Sequence, residues 1–406
     1  MDPRQVTLVL CLPTGELLGA TPEFVVEVPW WQEAGPVVDA AMAKLGLDVR
    51  ILRILDGPAW HGPPAGGNVT YLAEIDHPPP AGGRAELTAW TGPDPTAEHP
   101  LRQTWARPGG ALTDLSWATA ALSGLGISLA GRPKQMRSWN LSSIWRLPTD
   151  AGPVWLKVVP PFFAHEANLL TALNGAAVPE VLAMTSTRML LADVPGIDQY
   201  DAKPEAALRM VRLLVDLQIS WVSGVPALIA LGVPDLRGPV LIGPIRDVIR
   251  RHADELTGSE RRALDRLVAV LPDRFAALSD CRLPDTLVHG DFHLGNIKGD
   301  RNGHRLTILD WGDSGVGNPM LDQLAFARFL PDADRPAVDA EWSRLWRTAV
   351  PQSDPEGAAE LLQPVTALRE AAVYQRFLDS IEPDEHRYHD GDPADQLRRA
   401  AALAAS

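Results

Sequence analysis

Asp291 and Asn296 stand five positions apart in Leu287-Val288-His289-Gly290-Asp291-Phe292-His293-Leu294-Gly295-Asn296, and Thr307-Ile308-Leu309-Asp310-Trp311-Gly312-Asp313 follows. An apolar approach, a turn rich in Asp and Asn, then a second apolar run ending in Asp can hold a divalent metal against phosphates. Phosphoryl transfer asks a protein mainly for positioning and charge neutralisation. One carboxylate orients and deprotonates the attacking hydroxyl, an Asn and an Asp hold Mg²⁺, and a Lys meets the phosphates. Asp291, Asn296 and Asp310 offer the first three of these groups. The chemistry they point to is phosphoryl transfer.

The cation comes from another stretch. Lys157 lies inside the apolar run Trp155-Leu156-Lys157-Val158-Val159, where a charge needs a partner. Lys44, Lys134, Lys157, Lys203 and Lys298 are the only lysines, and Arg is used elsewhere, so a compact ammonium is in demand here. Glu166 follows on a helical segment and is the carboxylate that would partner it. His289 and His293 read as braces of their loop, since no Cys or further His stands near them at metal-ligand spacing. Asp313 suits either a second metal or the cap of the next turn.

These groups need strands and helices to carry them. Residues 6–12, 16–20, 49–55 and 69–75 read as strands, and 37–47 as a short helix stopped by Gly46. Residues 81–110 are dense in Pro and Gly, with Trp90 and Trp105 pinning the loop. A helix is expected over 114–125, and a boundary near 126–133. The apolar runs 136–147 and 154–159, joined by Pro148-Thr149-Asp150-Ala151-Gly152-Pro153, form a hairpin. Residues 189–194 read as a buried strand leaving through Pro195-Gly196. Helical spacing then governs 204–221, 244–256, 259–278, 335–348, 356–379 and 393–405. The expected division is an accessory α/β domain at 1–128, a β-rich lobe at 134–196 and a helical lobe at 197–406.

The composition narrows the partners. Of 406 residues, 46% are hydrophobic and 22% charged, which is ordinary for a folded protein. A net charge of −14 and a pI near 5.2 disfavour nucleic acid as the main partner. An acidic surface suits a cationic small molecule, and equally suits solubility alone. Cys11 and Cys281 make no disulfide framework and no metal spacing, as expected in a reducing cytosol. The N-terminus lacks a signal-peptide pattern, and no apolar run nears the roughly 20 residues of a membrane span. A soluble, cytoplasmic protein without a membrane partner is expected; its oligomeric state is open.

Val288-His289-Gly290-Asp291-Phe292-His293-Leu294-Gly295-Asn296 with Ile308-Leu309-Asp310-Trp311-Gly312-Asp313 resembles the aminoglycoside phosphotransferase/choline kinase family. Its mark is H-G-D-x-x-x-x-N, then an apolar pair before the metal Asp. Gly317-Asn318-Pro319-Met320-Leu321-Asp322 resembles the family's next helix start, where the Asp has a structural role. The resemblance covers about residues 134–390. It implies an α+β, bilobal protein kinase-like fold, with a small β-rich nucleotide lobe and a mainly helical C-lobe, here preceded by the small α/β domain.

It also implies roles. Asp291 is the catalytic base, Asn296 and Asp310 are the Mg²⁺ ligands, Lys157 binds the phosphates, and Glu166 orients Lys157. Ser142 and Ser143 occupy the hairpin where kinases place a Gly-rich phosphate cover, and Ala192 to Val194 the hinge that faces adenine. ATP is the expected co-substrate, with GTP open, and Mg²⁺ the cofactor. The acceptor is the hydroxyl of a small molecule, aminoglycoside-like or an amino sugar or amino alcohol, with Asp379, Glu382 and Glu385 to meet its ammonium groups.

The first domain resembles the Nudix hydrolase fold, with Gly46-Leu47 in place of that family's closing pair. Asp39, Ala40, Ala43 and Lys44 stand where its Arg and Glu cage would be, so a degenerate relative without hydrolase activity, or an unrelated α/β domain, is expected. The alternatives to a kinase are a non-catalytic nucleotide-binding scaffold or sensor, and a Nudix-type hydrolase. Against the scaffold, the base, both metal ligands and the Lys are all present.

Overall fold

The computed structural model describes residues 2–58, 66–80 and 85–404. They divide into two compact units. The first comprises Met1–Phe162, Val181–Asp193 and Phe377–Gly391; the second comprises Phe163–Glu180, Val194–Arg376 and Asp392–Ser406.

The first unit holds two five-stranded sheets. One is built from β1 (Arg4–Cys11), β2 (Leu17–Ala20), β3 (Phe24–Val26), β4 (Arg50–Asp56) and β5 (Gly67–Glu74), with helix α1 (Gly35–Leu45) crossing it. Its order is β2-β1-β5-β4, β3 also pairs with β1, and β1 runs parallel to β5. Alternation along β1 places Val6, Leu8 and Leu10 in the core shared with α1, and Val9 and Cys11 in a smaller cluster with Leu52 and Leu72. Gly46 ends α1 in the left-handed conformation, φ 69°, which a glycine adopts without a steric cost. At the positions of the missing Nudix cage, Asp39 pairs with Lys134 at 2.8 Å and Lys44 donates to the Val25 carbonyl at 2.9 Å.

Helix α2 (Gly110–Gly124) lies over the second sheet, whose strands are β6 (Lys134–Trp139), β7 (Ser142–Thr149), β8 (Gly152–Val158), β9 (Val181–Met184) and β10 (Arg188–Ala192), in the order β6-β7-β8-β10-β9. The apolar run over 136–147 is therefore two strands joined by a tight turn at Asn140-Leu141. Both flanking segments mix apolar and polar residues, so hydropathy did not mark the turn. Strand β6 is the edge of this sheet, and an uncovered edge invites foreign pairing. It is covered from within: Ala34 N–H donates to the Met136 carbonyl, Ser138 N–H to the Gln32 carbonyl, and the Gln135 amide bonds both N–H and C=O of Ile51.

Residues 377–391 reach this unit from far along the sequence as a strap containing a 3₁₀ turn, Pro383–Tyr388. Tyr388 is a core residue of the first sheet and meets Trp31 edge-on at 6.1 Å. Glu382, only 2% exposed, accepts from Arg102 at 2.8 Å and lies 3.4 Å from Arg53. This corrects the acceptor-binding expectation for two of its three acids. The Glu382 charge is matched by arginines inside the protein, and Glu385 is buried, so neither is presented to an ammonium ligand; Asp379 alone is exposed.

Burial pushes the Glu385 carboxyl up to about 8, with the nearby Glu382 adding to it. Its two oxygens have no hydrogen-bond partner among the described residues. Folding therefore retains a proton that the unfolded chain releases. Stability from this group is full below its unfolded value near pH 4.5 and is lost as pH rises toward about 8. Glu385→Gln should flatten that decline, measured as urea-unfolding midpoints between pH 5 and 8.5.

The second unit is mainly helical. It contains α3 (His165–Ala172), α4 (Pro204–Ser220), α5 (Val225–Ala230), α6 (Gly238–Arg251), α7 (Gly258–Asp280), α8 (Met320–Ala327), α9 (Arg335–Ala349), α10 (Pro355–Leu378) and α11 (Asp392–Leu403). Strand β11 (Ile197–Asp198) pairs with β13 (Ile297–Gly299), which pairs with β14 (Thr307–Ile308); β12 (Thr286–Val288) pairs with β15 (Gly315–Gly317). Ala206, Ala207, Met210, Val211, Leu214 and Val215 form the buried stripe of α4, the spacing of one helix face. Thr257 and Glu260 close a capping box that fixes the start of α7. Among the described residues no single helix is long and apolar enough to cross a membrane.

Candidate active site

Both chemical segments of the sequence are loops between the short strands of the second unit. Residues 289–296 join β12 to β13, and 309–314 join β14 to β15. Pairing of Ile297 with Ile308 in β13 and β14 draws the loops together, and Leu309 N–H donates to the Asn296 carbonyl at 2.7 Å. Two segments separated in sequence thus supply adjoining groups.

At the first loop the Asn296 amide N–H groups donate to the Asp291 carbonyl at 3.0 Å and to Asp291 Oδ2 at 2.9 Å. The base-type carboxylate is thereby fixed by the neighbouring amide. The amide oxygen, a hard donor, is the end of the Asn296 side chain not used in this. His293 Nδ1 accepts from Gly295 N–H at 3.0 Å, which leaves the ring proton on Nε2, 3.5 Å from Asp291 Oδ2. The Asp291 side chain is 48% exposed, so a hydroxyl can reach it.

Behind the loop, His289 is fully buried and donates from Nε2 to the Leu309 carbonyl at 2.8 Å. Burial lowers its pKa and keeps it neutral. Asp322, on α8, accepts from the N–H groups of His289 at 2.8 Å and Gly290 at 2.9 Å and from the Gln218 amide at 2.8 Å. Burial raises the Asp322 pKa. Gly290 has φ 85°, and a Cβ there would strike the Asp313 carbonyl and the Arg369 guanidinium. Asp322→Ala should remove three bonds at once and cost about 3 kcal/mol or more, since buried N–H groups left unpaired cost ~1–3 kcal/mol each. A urea titration of the variant against the parent reads this directly.

In the second loop Asp310 has φ 60°, a left-handed backbone that non-glycine residues seldom hold. Trp311 N–H donates to Glu166 Oε1 at 3.1 Å, so α3 braces the residue next to Asp310. Burial raises the Asp313 carboxyl to about 7, with Asp291 adding to the effect and Arg369 and Arg376 opposing it. Arg369 also donates to the Gly290 carbonyl at 3.1 Å and the Asp313 carbonyl at 3.3 Å, tying the two loops together from α10. Nothing in the sequence marked Arg369 or Arg376; they are ordinary arginines on a helix until the loops are placed beside them.

Hard oxygen donors from one Asn and one Asp, on loops joined by backbone hydrogen bonds, fit Mg²⁺. That ion is commonly held by one or two protein oxygens together with substrate phosphates. A family model described as the phosphotransferase enzyme family (APH) matches residues 137–361. The chain belongs to this family. No curated protein sequence matches this phosphotransferase. Among solved structures, macrolide 2′-phosphotransferase MphH from Brachybacterium faecium is similar with a TM-score of 0.51 at 17% identity, covering 68% of this chain and 97% of its own. The GDP complex of aminoglycoside 2′-phosphotransferase-IIIa is similar with a TM-score of 0.50 at 15% identity, covering 72% and 98%. These likenesses show the fold: a β-sheet N-lobe and a helical C-lobe of the protein kinase-like kind.

The remaining expected site residues of the phosphotransferase divide between its two units. Lys157 lies in β8 of the first unit, 8% exposed, opposite Met189 of β10 and Ile144 of β7. Ser142 and Ser143 begin β7; their hydroxyl oxygens accept from the indoles of Trp139 at 3.0 Å and Trp145 at 3.1 Å. Ala192 ends β10, paired with Val154. Val194 starts the next segment of the second unit, and its carbonyl accepts from Lys298 at 3.4 Å. Asn296, Asp291 and Asp310 are gathered in the second unit.

Proposed function

We propose that this phosphotransferase moves the γ-phosphoryl group of a nucleoside triphosphate, ATP in the first instance, to a hydroxyl of a small molecule. The observation that carries the reading is the Asn296 amide clasping Asp291 while its chain neighbour contacts pull Asp310 alongside. Asp291 takes the role of base: Oδ2 is engaged by Asn296, and Oδ1 is the oxygen available to an acceptor hydroxyl. Asn296 and Asp310 hold Mg²⁺, which when bound neutralises charge on the phosphates. Lys157 is the lysine for the phosphates, Ser142 and Ser143 lie in the hairpin of their cover, and the backbone at Ala192 to Val194 is the hinge for the nucleotide base. Glu166 keeps the Asp310 loop in place through Trp311.

For the acceptor, the neighbourhood of the base offers exposed rings. His293 stacks on Phe329 at 4.7 Å and lies 6.4 Å from Tyr200, and these two aromatic side chains are 48% and 64% exposed. Exposed aromatics beside a reachable carboxylate favour a hydroxyl compound with an apolar face. A panel of amino sugars, macrocyclic and aromatic alcohols and short amino alcohols, incubated with ATP and Mg²⁺, tests the reading by mass spectrometry. A phosphate adduct on any hydroxyl supports it; failure to form ADP with every acceptor, and in its absence, defeats it.

A further inference from the structure

The turn between β6 and β7 reads Trp139-Asn140-Leu141-Ser142 and contains no glycine. It is held on several sides. Trp105 Nε1 donates to the Trp139 carbonyl at 3.0 Å, and Trp139 Nε1 donates to Ser142 Oγ at 3.0 Å. The Trp139 ring meets Tyr388 edge-on at 5.7 Å and His389 at 6.0 Å, both from the strap. The contacts continue as a ladder. Tyr388 meets Trp31, His389 meets Phe377 at 5.4 Å, and Phe377 stacks on Phe162 at 5.6 Å.

The strap is itself anchored to the first sheet. Besides Glu382 with Arg102 and Arg53, Asp384 pairs with Arg53 at 2.9 Å, and Arg387 bonds the Gly57 carbonyl at 2.7 Å and Asp56 at 2.8 Å. Gln103 donates to the Ser380 carbonyl at 3.3 Å. At the turn, Asn140 is fully buried, and neither its amide nitrogen nor its amide oxygen has a hydrogen-bond partner among the described residues. A turn held at that cost is constrained by something other than its own stability.

We infer that Tyr388 and His389 are positioning residues for the nucleotide: acting through Trp139, the strap fixes the hairpin that carries Ser142 and Ser143. This rests on the proposed role of that hairpin as the phosphate cover. A glycine-rich cover is mobile and loses conformational freedom when it closes on a ligand. A cover already fixed by packing loses little, and the saving appears as nucleotide affinity. The first domain and the strap thus have a function in the reaction, as the frame of the cover.

The test uses the full chain and measures binding of the non-hydrolysable analogue adenylyl imidodiphosphate with Mg²⁺ by calorimetry. Tyr388→Ala and His389→Ala should weaken it about tenfold, the scale expected when one or two ordered side chains must be re-immobilised on binding. Tyr388→Phe keeps the ring and should restore affinity to within about twofold. Should Tyr388→Ala not fold, His389→Ala is read also by hydrogen exchange, where residues 137–144 should lose protection while β8 and β10 keep theirs. Folded variants with parental affinity and an equally protected hairpin would overturn the inference and leave the phosphotransfer reading intact. A parent chain that binds no nucleotide with Mg²⁺ would instead remove that reading, and this inference with it.

Discussion

Asp291→Asn should lower turnover by roughly 10²–10⁴-fold, the range general-base catalysis commonly supplies, while leaving nucleotide affinity near the parental value. The substitution is nearly isosteric. Its side-chain oxygen can still accept from the Asn296 amide as Asp291 Oδ2 does at 2.9 Å, and the backbone contact at 3.0 Å is untouched. What disappears is the charge and the capacity to take a proton from the hydroxyl. The expected signature is a drop in kcat with nucleotide binding unchanged by calorimetry. Full turnover in this variant would take Asp291 out of the base role, and the acceptor proton would need another destination.

Asp310→Asn should abolish most Mg²⁺-dependent nucleotide binding, with little loss of fold stability. Asn is among the few side chains that tolerate a left-handed backbone, so the φ of 60° can persist. The brace from Glu166 to Trp311 N–H, at 3.1 Å, does not involve the substituted side chain. The carboxylate is the one feature removed. Calorimetry with nucleotide, run with and without Mg²⁺, should show a metal-dependent increment in the parent and almost none in the variant. An equal increment in both would place the metal elsewhere. Together the two substitutions separate turnover from metal-dependent binding, two effects that a merely damaged fold would not divide.

The site was legible where chemistry dictates spacing within one loop. Asp291 and Asn296 interact directly, and that interaction survives in the sequence as a short interval. Asp310 was legible because β13 and β14 are neighbours in the chain as well as in space. Arg369 is not of this kind. It lies 79 residues from Gly290, whose carbonyl it meets, and helix arginines commonly face solvent. The expectation for Glu382 and Glu385 failed for a related reason. In the sequence Glu382 and Glu385 stand in a polar stretch at a helix end, where acids are usually solvated. Glu382 is buried against Arg53 and Arg102, hundreds of positions earlier, and Glu385 lies in the same buried turn. The split of 136–147 into β6 and β7 was hidden because its turn, Asn140-Leu141, has no Gly or Pro and the strands beside it are as mixed in polarity as the turn. Helices α5 and α8 are 6 and 8 residues long, too short for periodicity to announce them.

The strap also sets an order of events during synthesis. The first sheet and its Trp31 are made hundreds of residues before Tyr388, which completes their core. Translation proceeds at ~5–20 residues per second, so the opening sheet waits on the order of tens of seconds with its aromatic face unfinished. During that interval the nascent chain is a natural client for a chaperone that binds apolar surface. A premature stop just beyond Arg376 would leave the metal-type loops encoded in full, while depriving residues made much earlier of the partners they were built to meet.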